Sequence, residues 1–136
     1  MEKVYLTGAI SGIEEEARKN FDRAEKNLIK MGFEVVNPFS IVPQKEDWET
    51  ETEYWFRCMM VCLPHFKGVN KICKVYHNNI DKRKIRSIGA EVEHLFAEKM
   101  KIPNIIEMPQ KNIERGIETI TYQYVMIENG KTFFLE

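Results

Sequence analysis

Residues 14–30 constrain this chain more than any other stretch. Ala17, Phe21, Ala24 and Leu28 recur at i, i+4, i+7 and i+11, which places them on one face of a helix. Acidic residues crowd its start, Lys26 and Lys30 lie near its end as the helix dipole favours, and Gly32 is a natural stop. A β-rich run at residues 3–6 precedes the helix. A second at residues 33–36 follows it and is closed by Asn37-Pro38. Strand, loop, helix and strand in this order make a βαβ unit, whose strands run parallel through a right-handed crossover.

The alternation continues. From about Glu53 a helix is expected to carry Trp55, Phe56, Met59, Met60 and Leu63 on one face, with Pro64 ending or kinking it. Ile72-Cys73-Lys74-Val75-Tyr76 reads as a third strand, residues 87–100 as a helix and residues 104–108 as a fourth strand. Such alternation predicts an α/β fold built on a doubly wound parallel sheet. The tail differs in kind. Residues 112–118 read as a helical turn, and Asn129-Gly130 between two β-rich runs predicts a hairpin. We expect an α/β domain over residues 1–108 and a C-terminal hairpin extension over residues 109–136, both within one compact unit.

Composition narrows the function classes. A chain of 136 residues with net charge −1 has no global attraction for nucleic acid or for an anionic membrane. No apolar run is long enough to span a bilayer, and residues 1–6 are expected to open into a strand rather than a leader. Three cysteines form no disulfide framework, so reduced thiols in a cytoplasmic protein are expected.

Candidate chemistry gathers at two loops. Gly8-Ala9-Ile10-Ser11-Gly12 joins the first strand to the first helix, at the strand ends where α/β sheets bind ligands. Two glycines permit close backbone approach to a phosphate or sugar, and an ordinary tight turn explains them as well. The spacing lacks the dinucleotide fingerprint. Ser87-Ile88-Gly89 opens the later helix, where free N–H groups and the dipole suit an anion. Glu93 follows on the face it shares with Ala90 and Ala97. A carboxylate on a packed face requires a partner or a task. A salt bridge or a favourable place near the helix start is the structural explanation, and a nucleophile is the functional one. Lys82, Arg83, Lys84 and Arg86 read as a solvated loop, with an anion-attracting lid as the alternative. Cys58, Cys62 and His65 share helical spacing but lack a second ligand pair, so they read as buried thiols and a surface imidazole, and neither metal nor cofactor is expected.

Val4-Tyr5-Leu6-Thr7-Gly8-Ala9-Ile10-Ser11-Gly12, Glu34-Val35-Val36-Asn37-Pro38 and residues 87–97 together resemble the nucleoside 2-deoxyribosyltransferase-like superfamily, over about residues 3–107. Its small bacterial and phage members and the 2′-deoxynucleoside 5′-phosphate N-hydrolases are the nearest in pattern. The resemblance implies a flavodoxin-like or Rossmann-like fold, a homodimer or larger assembly, and a nucleoside or nucleotide substrate. It implies that Glu93 is the nucleophile and that Tyr5 orients it. Residues 8–12 would surround the sugar and phosphate, with Ser87 and Gly89 binding phosphate. Three departures stand out. Cys62 occupies the place of an Asp that assists the leaving base, Asn70 that of a second common Asp, and Ala9 and Ser11 those of a Ser and an Arg in the N-hydrolases. A nucleotide-binding module without catalysis is the rival reading.

Overall fold

The computed structural model describes residues 1–78 and 87–135. The basic stretch Lys82, Arg83, Lys84 and Arg86 lies outside the described residues. Strand β1 (Lys3–Thr7), helix α1 (Glu14–Lys30), β2 (Glu34–Val36), the short α2 (Pro38–Ile41) and α3 (Glu51–Cys62) come first. A 3₁₀ segment (Leu63–Gly68), β3 (Lys71–Lys74), α4 (Ile88–Lys99), β4 (Asn104–Glu114), β5 (Ile117–Glu128) and β6 (Lys131–Leu135) follow. Among the described residues the strands form one sheet in the order β2-β1-β3-β4-β5-β6. β2, β1, β3 and β4 run parallel, as the βαβ alternation requires, and β5 and β6 close the sheet antiparallel. The fold is therefore α/β, with a switch in strand order beside β1.

Both faces of the sheet are covered. Phe21, Ala24 and Leu28 of α1 pack on Val4, Leu6, Cys73 and Ile105. On the opposite face Tyr5 and Ile72 meet Cys62, Phe66 and Ala97. Period-2 alternation along β1 divides its side chains between the two cores. The middle helix departs from expectation. A capping box of Thr50 and Glu53 starts it, and only Met59 and Cys62 of its apolar residues are buried. Trp55, Phe56 and Met60 face outward instead. Helical period identifies an apolar stripe, but the sheet selects which side of it is covered.

The tail is also corrected. Residues 112–118 form no helical turn. β4 runs on to Glu114, reverses at Arg115 and Gly116, both with positive φ, and returns as β5. The Asn129-Gly130 hairpin forms as expected, again with positive φ at both turn residues. A buried clamp fastens this extension. Glu107 is fully buried and accepts from Arg23 Nη2 at 2.5 Å, from the Tyr76 N–H at 3.0 Å and from the Tyr124 hydroxyl at 2.5 Å. It thereby ties α1, the segment after β3, and β5 together. No described helix is long and apolar enough to cross a membrane.

Candidate functional site

Tyr5 and Thr7 lie two residues apart on β1, so both side chains point to the face that carries α3 and α4. Helix α4 begins at a Ser87 cap whose hydroxyl accepts the Ala90 N–H at 3.2 Å. Two turns later its inward face presents Ala97 and Glu93 to the sheet. Glu93 is only 7% exposed. The Tyr5 hydroxyl donates to Glu93 Oε2, and the Thr7 hydroxyl donates to Oε1 at 2.9 Å. Neither partner is a cation, so the bond set does not neutralise the carboxylate. Burial therefore dominates and pushes Glu93 up to about 7, with the hydrogen bonds from Tyr5 and Thr7 opposing it. Among the described residues no cation pairs with Glu93, so the salt-bridge explanation finds no partner there.

Burial raises the Tyr5 hydroxyl far above its ordinary value, and the adjacent Glu93 raises it further. Tyr5 stays protonated and remains a donor. The Cys62 thiol lies in the same buried cluster as Tyr5, and burial pushes it up to about 11. It is a neutral thiol at physiological pH and no ready proton donor.

The parallel order places the loop after β1 and the start of α4 at the same carboxyl edge, because β1 and β3 are neighbours. Within the first loop, Gly8 and Ala9 are buried, Ile10 is half-buried, and Ser11 and Gly12 are exposed. Gly8 has a packing reason. A Cβ there would sit 3.2 Å from the Val75 carbonyl oxygen and 3.3 Å from the Phe21 ring. Gly8→Ala is expected to cost about 1–3 kcal/mol through this overpacking, read as a lower denaturation midpoint at unchanged m-value. A midpoint equal to that of the unaltered chain would show that the loop yields freely. Gly12 sits at φ +85°, and its N–H donates to Glu14 at 3.1 Å. Gly89 lies where α4 faces α3, and a Cβ there would make ordinary contacts of 3.4 Å with Trp55 Nε1 and Met59 Sδ.

Of the residues singled out in the sequence, Tyr5 and Glu93 are brought into direct contact. Residues 8–12 begin one step beyond Thr7, while Ser87 caps the helix and Gly89 serves a helix contact. Thr7 and Cys62 were not read as site residues. The alternation that aims Tyr5 at Glu93 aims Thr7 there as well, so that signal was present. For Cys62 the signal was its place in the resemblance, where an Asp assists the leaving base, while its approach to Tyr5 is a property of the fold, which sets the distance between α3 and β1. Among the described residues no cluster of His, Cys, Asp and Glu could hold a metal ion.

No curated protein and no solved structure matches the chain at a significant level. Residues 2–106, which include Tyr5, Thr7, Cys62 and Glu93 and stop within β4, match the family described as Domain of unknown function (DUF4406), and the chain belongs to that family.

Proposed function

We propose that this protein cleaves or transfers the N-glycosidic bond of a nucleoside or nucleotide, with Glu93 as the nucleophile. The observation that carries this reading is a buried carboxylate held by two hydroxyl donors and, among the described residues, by no cation, at the sheet edge where α/β folds bind ligands. Ionised Glu93 attacks C1′ as the C1′–N bond breaks. The base departs with the bonding pair and takes up a proton from water, leaving the sugar as an ester on Glu93. Water, or a second base, then attacks C1′, expels the carboxylate and loses a proton to solvent, as in retaining glycosidases. Tyr5 and Thr7 fix the carboxylate and hold its orientation through both steps. The substrate is small, and assembly of the chain into a homo-oligomer in the cytoplasm belongs to the same proposal.

The test is incubation with 2′-deoxynucleosides, ribonucleosides and their 5′-monophosphates, followed by chromatography for free base. Released base supports the enzyme. Binding without release supports the rival reading of a nucleotide-binding module, which the neutral Cys62 thiol beside Tyr5 favours. Attack requires the ionised form of Glu93, whose pKa is raised to about 7. kcat/KM is accordingly expected to rise about tenfold per pH unit below pH ~6 and to level above pH ~8. A profile flat from pH 5 to 8 would remove Glu93 from the attacking role.

A further inference from the structure

β5 has an open edge. Among the described residues β6 pairs with it only from Tyr124 to Glu128, and residues 117–123 have no neighbour on that side. The opposite strand, β4, has no neighbour on its other side beyond Ile106 among the described residues. The result is a two-stranded ribbon whose Ile113, Ile117 and Ile120 are 72%, 66% and 56% exposed. Such a ribbon is marginal in water on its own. Residues 117–123 carry little that protects an edge: they contain no Pro and no Lys, Glu118 is their one charge, and they are rich in Ile, Thr and Tyr.

The backbone phase of this edge follows from its turns. Glu128 and Lys131 flank a two-residue turn, as do Glu114 and Ile117. Such turns close on hydrogen-bonded pairs, so even-numbered residues of β5 bond toward β6 and odd-numbered ones toward β4. The N–H and C=O groups of Glu118, Ile120 and Tyr122 therefore face the open edge. Their side chains lie on the α1 face with Tyr124, beside a cleft of about 560 Å³ that Arg23 and Lys30 also line. Arg23 is held by Glu107, and Lys30 makes no ion pair among the described residues.

We propose that a second copy of this chain pairs antiparallel along this edge, centred on Ile120, to make one continuous sheet across a two-fold axis. The edge is complementary to itself in that register. Ile120 meets its own copy, Thr119 lies opposite Thr121, and Glu118 lies opposite Tyr122, so no like charges face one another. Each copy's Glu118, which pairs with its own Lys111 at 3.1 Å, comes beside the other's cleft, which carries Lys30. Every outward backbone group of Glu118, Ile120 and Tyr122 gains a partner.

The test is light scattering on the full chain with two variants. The unaltered protein at about 100 μM is expected at twice the monomer mass. Ile120→Pro removes only an outward N–H, so it is expected to give a monomer with an unchanged circular dichroism spectrum. Ile120→Cys places two thiols in a hydrogen-bonded pair with Cα atoms about 5.5 Å apart, within disulfide range. It should form a covalent dimer on mild oxidation, whereas Ile113→Cys should not. A monomeric unaltered chain overturns the proposal. So does a dimer that survives Ile120→Pro, or equal cross-linking of both cysteine variants.

Discussion

Glu93→Gln is expected to abolish the proposed release of free base and to raise the melting temperature measured at pH 8. The first effect follows from chemistry, because an amide oxygen does not form the glycosyl ester, and loss of a nucleophile costs at least about 10³-fold in kcat. The second follows from linkage. Folding raises Glu93 from its ordinary 4.5 to about 7. Between these values the folded state holds a proton that the unfolded state has released. The contribution of this group to stability is therefore fully present below about pH 4.5 and is lost as pH rises through 7, a swing of roughly 3 kcal/mol. Gln carries no such dependence and can still bond Tyr5 and Thr7. The gain over the unaltered protein should be on the order of 10 °C at pH 8 and small at pH 5. Differential scanning calorimetry at the two pH values measures it. A gain that is equal at both would mean that the carboxylate is not desolvated, and full activity in the variant would remove the nucleophile.

Glu107→Ala is expected to be the most damaging single change outside the candidate site. It deletes a fully buried carboxylate that receives Arg23, Tyr124 and the Tyr76 N–H. It leaves a half-buried guanidinium stacked 3.9 Å above the Tyr122 ring without its counter-charge. Breaking such a pair from one side costs about 3–5 kcal/mol. The expected fall in melting temperature is on the order of 10 °C for a chain of this length. Glu107→Gln should fall between the two, because its amide can satisfy part of the set. Melting within 2 °C of the unaltered protein in the Ala variant would show that the clamp adds nothing net. Because Tyr76 follows β3 at the carboxyl edge, loss of the clamp should also loosen that edge, read as faster amide exchange at Tyr76.

Local physics made a large part of this fold legible. The limits of α1, its buried face and the Asn129-Gly130 turn come from neighbours within a few residues: helical period, the dipole at the helix ends, and glycine's freedom at positive φ. The pairing of Tyr5 with Glu93 was also within reach, because period 2 on β1 and period 3.6 on α4 each aim one side chain at the same face. Tertiary structure decided the rest. Trp55, Phe56 and Met60 are as apolar as Met59, yet only the side of α3 that meets the sheet is covered. Residues 112–114 and 117–118 are strand, joined by a tight turn, because β4 and β5 pair over eleven positions, a gain that no seven-residue window contains. Glu107, Arg23 and Tyr124 stand far apart in the chain and meet only when α1 lies across β4 and β5. The rise of Glu93 to about 7 has the same origin, since desolvation is set by what packs around a carboxylate and not by its neighbours in sequence.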